Sequence, residues 1–139
     1  LGDVYKRQVD NSAFEITIPA VIRPSDRATS FKVGAELVNI RPDEYIEVSI
    51  SSGCDSRSMV VMKRQNVPAG KTVSTLETRF SAGGNPIGSN GYIVGHFEDG
   101  SNIVNSIGDI SMSAVNANDK TEAGDYLATI EFKVDLKKK

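Results

Sequence analysis

Hydrophobic and polar residues alternate along most of this chain with a period of two, the signature of strands that bury one face. Phe14, Ile16 and Ile18 alternate with Glu15 and Thr17, and Pro19 then ends the strand or marks an edge. Phe31, Val33, Ala35 and Leu37 alternate with Lys32, Gly34 and Glu36; Ile46, Val48 and Ile50 alternate with Glu47, Ser49 and Ser51. The longest run sets Tyr126, Ala128, Ile130, Phe132, Val134 and Leu136 on one face, against Thr129, Glu131, Lys133 and Asp135. Shorter strands are predicted over 59–62, 75–80 and 92–97, and around Ile110, Met112 and Ala114. Turn residues separate these segments: Arg41-Pro42-Asp43, Val67-Pro68-Ala69-Gly70, Gly83-Gly84-Asn85-Pro86, Ser89-Asn90-Gly91 and Ala123-Gly124-Asp125. No helical period is sustained. Seven to nine short antiparallel strands at this spacing predict an all-β sandwich or barrel.

The 139 residues suit one domain, and no shift of composition marks a second. The Gly-rich stretch 81–91 is expected to be a long loop between strands, because either half alone would have too little core. Residues 1–8 show no alternation and resemble a translated sequencing-adapter tail at the end of a metagenomic reading frame. They are expected to lie outside the fold, with 9–139 forming the domain. The absence of a leader sequence therefore carries no weight.

A net charge of −2 lacks the basic footprint of a nucleic-acid binder. No apolar run reaches the ~20 residues that span a bilayer. The single cysteine, Cys54, rules out an internal disulfide and reads as a half-exposed loop thiol. An intermolecular crosslink is the alternative.

Candidate chemistry is sparse. His96 is the only histidine, so a Ser/His/Asp or Cys/His system would have to use it, yet no Gly-x-Ser-x-Gly elbow accompanies it. One histidine and one cysteine also leave no zinc cage. Calcium needs only clustered oxygens, for which the candidate donors are Asp99, Ser101 and Asn102, or Asn116, Asn118, Asp119 and Asp125. Neither group has EF-hand spacing, and Asn and Asp are ordinary turn residues. Sugar binding usually lays flat aromatics against the ring; with no Trp and most aromatics claimed by the core, Tyr45 and Tyr92 are the candidate platform. Nothing marks two acidic residues as a glycosidase pair. Lys137 to Lys139 read as a solubilising end, and no sortase-type motif is present.

Two segments resemble a loose group of secreted surface proteins from gut Firmicutes. One is Phe14-Glu15-Ile16-Thr17-Ile18-Pro19-Ala20. The other, Glu122 to Val134, is similar to the closing Ala-Gly-x-Tyr-x-Gly-x-Ile-x-Phe strand of those domains and of pilin-like and immunoglobulin-like sandwiches. Residues 31–51 fit the paired strands of that group in order and spacing. The chain departs from the pattern at Ala128, where Gly is frequent, and in carrying Cys54. Gly124 suits a tight turn into the last strand, and the Tyr126 hydroxyl is placed to reach a nearby backbone group, as in a tyrosine corner.

The resemblance implies an immunoglobulin-like antiparallel sandwich, extracellular or at a bacterial cell surface, with no catalytic residues to carry over and no cofactor. The expected role is structural or adhesive, with other surface or filament subunits or host glycans as partners. A carbohydrate-binding module and a phage or viral particle component are the alternatives. Open edges for strand addition are expected along 9–18 and 126–136.

Overall fold

In the computed structural model the described residues are 2–9, 12–100, 103–117 and 121–139, and Val4 is the only side chain described before Ala13. Among them the alternating segments form twelve strands, all paired antiparallel, in three sheets. The first sheet holds β1 (Gly2–Val9), β2 (Ser12–Pro19) and β4 (Gly34–Asn39), in that order. The second runs β11 (Tyr126–Leu127), β6 (Met59–Arg64), β7 (Thr75–Ala82), β10 (Ile110–Met112), β3 (Thr29–Phe31), with β8 (Asn85–Pro86) folded back on β7. In the third, β5 (Glu44–Ser52) lies between β12 (Glu131–Lys138) and β9 (Ile93–Glu98).

The pieces are more numerous and shorter than predicted because two alternating segments change sheet midway. The segment that starts at Thr29 pairs first with β10 and then, from Gly34, with β2. Tyr126 and Leu127 pair with β6; after Ala128 to Ile130 the chain re-enters pairing against β5. Corners of this kind let one strand serve two layers. Gly53, at φ 97°, makes the second corner possible: a Cβ there would run into the Thr129 carbonyl and the Ile130 Cα.

The inward face holds as predicted for Phe14, Ile16, Ile46, Val48 and Ile50, all buried. It fails at Leu37, expected inside but 71% exposed. Leu37 adopts φ 52°, and the register between β2 and β4 slips there: Ala13 faces Asn39 whereas Glu15 faces Glu36. This bulge inverts the alternation, so Val38 and Ile40 enter the core instead. The core joins all three sheets in one cluster, from Phe14 and Ile16 through Val48 and Val94 to Phe80 and Ile110. Phe31 and Phe80 meet at a ring distance of 5.3 Å and a 60° tilt.

One further expectation changes. The stretch 81–91 is not a long loop: Gly83 and Gly84 turn the chain into β8, and a 3₁₀ turn over Ile87–Asn90 buries Ile87. Residues 2–9 pair with β2 along their whole length, from Gly2 opposite Pro19 to Val9 opposite Ser12. The edge predicted along 9–18 therefore belongs to β1, and β2 is a central strand.

Candidate functional site

The outward-pointing residues of the third sheet form a polar face. Tyr45 of β5 stacks on His96 of β9, with ring centroids 4.8 Å apart and planes 19° from parallel. Around them, Lys137 bonds Glu47 at 2.8 Å, Lys139 pairs with Glu98, and Lys133 lies 3.3 Å from Asp135. The Lys139 ammonium holds the Glu98 carboxyl below its usual range, and Glu47 raises Lys137. His96 thus faces outward, 3.9 Å from Glu98 and stacked on an aromatic ring.

The two tyrosines proposed as a sugar platform are not brought together. Tyr45 stands opposite Glu98, whereas the Tyr92 carbonyl accepts the Ile50 N–H at 2.9 Å. Five residues along β5 separate these positions, about 17 Å at strand rise. Tyr92 also has a structural task. Its hydroxyl donates to the Asp55 carbonyl at 2.9 Å while its backbone sits at φ 62°. The aromatic neighbour of Tyr45 is His96, which sequence reasoning did not place in the platform.

The calcium donors are likewise dispersed. Asp99 accepts the Ile40 N–H at 3.4 Å, and the Asp125 carbonyl accepts from Gln65 at 2.8 Å on another sheet. Asn116 is exposed, and Ser101, Asn102, Asn118 and Asp119 lie outside the described residues. Among the described residues no three His, Cys, Asp or Glu side chains gather into a metal-binding group. Cys54 is half-buried, and burial, with Asp55 beside it, pushes its thiol up to about 11. Such a thiol is a poor nucleophile at neutral pH.

Sequence reasoning missed Asn105. Its side chain closes the free edge of β9: Oδ1 accepts the His96 N–H at 3.0 Å and Nδ2 donates to the Val94 carbonyl at 3.0 Å. Ser106 adds a backbone bond to the His96 carbonyl. Asparagine imitates backbone pairing in this way, and Asn105-Ser106 within the otherwise apolar stretch Ile103 to Ile107 was the available signal. Tyr126 fulfils its predicted role, donating its hydroxyl to the Glu122 carbonyl at 2.6 Å.

On the side away from the Tyr45 stack the surface is open and lined in part by apolar side chains. A groove of about 420 Å³ lies between β12 and the end of β2, lined by Val4, Ile18, Ile22, Ile130, Phe132 and Val134 among others. It shares Ile22, Ala128 and Ile130 with a second groove of about 460 Å³ beneath residues 21–26. Val4, Val21 and Leu127, on the walls, are 53%, 63% and 60% exposed. These exposed apolar side chains gather along the joined grooves and are not scattered singly over the surface.

Fold and surface together define a small all-β domain of several antiparallel sheets, with an ion-paired outer face and an open apolar seam. No protein-family model, curated protein or solved structure matches the chain.

Proposed function

We propose that this chain is a non-enzymatic structural or adhesive module of a bacterial exterior, built on an immunoglobulin-like plan and working through the surfaces it presents. The observation that carries this reading is the apolar seam, where Val4, Val21 and Leu127 stay exposed beside two joined grooves. The bond from the Tyr126 hydroxyl to the Glu122 carbonyl, as in a tyrosine corner, supports the immunoglobulin-like plan. The arrangement of the chemistry-bearing side chains agrees: His96 is stacked against Tyr45, and the Cys54 thiol is held protonated.

The test is retention of mucin glycans and of bacterial envelope fragments on the immobilised chain. Binding to either that is lost in Val21→Asp or Leu127→Asp supports the seam as the working surface. Turnover of aryl ester or aryl glycoside substrates that disappears in His96→Ala would overturn the reading. The carbohydrate-binding alternative now rests on the Tyr45–His96 stack flanked by Glu47 and Glu98. A glycan array that loses its signal in Tyr45→Ala, and keeps it in Leu127→Asp, would favour it.

A further inference from the structure

The third sheet has two edges, and only one is closed. Asn105 and Ser106 occupy the backbone of β9. The outer edge of β12 makes no strand pairing or backbone hydrogen bond with any described residue, although β12 pairs with β5 at eight positions, with a bulge between Glu131 and Phe132. Burial records the difference. Ile46 and Val48 of the central strand are fully buried, whereas Phe132, Val134 and Leu136 on β12 are only half-buried, with the 420 Å³ groove beside them.

From these features we infer that β12 is a self-recognition edge: two copies of this chain join β12 to β12 antiparallel, about a two-fold axis at Val134. A two-fold axis perpendicular to a sheet keeps each face continuous, so residues of the same face must stand opposite each other. With the axis at Val134, Phe132 meets the second copy's Leu136, extending the apolar inner row. On the outer face Lys133 meets the second copy's Asp135, and Glu131 meets its Lys137. Opposed side chains at ~5 Å in such pairs interact favourably when their charges are opposite. Every charged outer position from Glu131 to Lys137 finds its complement.

Neighbouring registers lose this match. An axis at Lys133 or Asp135 sets like charges against themselves. An axis at Leu136 sets Lys133 against Lys139 and the apolar Val134 against Lys138. The Glu131 carboxylate has no ion pair among the described residues of its own chain, so the second copy's Lys137 supplies one. Charges on an edge strand usually deter pairing; here they favour the Val134 register, the one that matches all four outer charges from Glu131 to Lys137. The added strands would roof the groove with a second set of Phe132, Val134 and Leu136. This inference goes beyond the display reading and stands without it.

Sedimentation equilibrium on the full chain, from micromolar to millimolar concentration, provides the test. A species of twice the 15.0 kDa chain mass is expected. Glu131→Lys alone and Lys137→Glu alone should each weaken it by about tenfold or more, since each opposes like charges twice per dimer. An equal mixture of the two variants should restore it, because both contacts between unlike copies are again attractive. No loss of monomer stability can produce that rescue. Lys133→Glu mixed with Asp135→Lys gives the same design at the inner pair, should Lys137→Glu unfold through loss of Glu47. A monomer at every concentration, an association that the single variants leave unchanged, or mixtures of both designs that stay monomeric would each overturn the inference.

Discussion

Leu37 shows how much one backbone angle decides. At φ 52° a leucine costs roughly 1–2 kcal/mol relative to ordinary strand geometry, and its side chain is 71% exposed, so burial does not offset the cost. Leu37→Gly is therefore expected to stabilise the fold by about 0.5–1 kcal/mol, read as a higher urea midpoint with unchanged slope. Asp55 gives a pH-dependent counterpart. It accepts N–H bonds from Arg57 at 2.8 Å and Met59 at 3.0 Å, and these bonds, the Met59 one first, hold its carboxyl below the ordinary 3.8. A depressed folded-state value contributes stability above the ordinary carboxylate range and loses it as pH falls through the lowered value. The melting-temperature gap between the native chain and Asp55→Asn should be full at neutral pH and close on acidification below 3.8. A gap that stayed constant would remove Asp55 from this role.

At the scale of elements, pairing on one side or two sets the energetics. Phe132 alternates like a core residue, and as a fully buried aromatic its truncation would cost about 3–5 kcal/mol. On an edge strand it is half-buried, so Phe132→Ala is expected to cost about 2 kcal/mol, clearly less than Phe80→Ala, which is 1% exposed. Lys133→Ala should stay under about 0.5 kcal/mol in the same denaturant melts. The first strand is a comparable case. Residues 1–8 carry no core pattern in the sequence, and β1 covers the whole edge of β2 and brings Val4 to the groove. Removing them should lower the melting temperature by several degrees, as expected when a strand pairing worth ~1–2 kcal/mol is lost. An unchanged melting temperature would return β1 to the status of a passive extension.

For the whole molecule, the three sheets share one core but leave a seam where the first and third do not meet. If β12 pairs with a second copy, folding and association are linked, and the melting temperature must rise with protein concentration. Calorimetry over a hundredfold concentration range should show that rise for the native chain and a flat response for Glu131→Lys. A flat response for both would separate the fold from any β12 association and leave the seam as a surface for other partners.

Which side chains face inward along β2, β5 and β12, and where the chain turns, are properties of short stretches. They follow from the two-residue period of a strand and from the φ preferences of Gly, Pro and Asn, so the sequence alone determined them. The tyrosine corner at Tyr126 belongs to the same class, since its acceptor lies four residues away. Sheet membership does not. A run such as 126–136 alternates in the same way whether it pairs with one sheet or two, and Gly53, 76 residues before Thr129, permits the corner between them. The partner of Tyr45, the inversion at Leu37, the closed edge at Asn105 and the open one at β12 likewise depend on which distant strand lies alongside. Cross-strand neighbours decided these features, because period-two patterning specifies a face and leaves the identity of the neighbour to the packing of the whole chain.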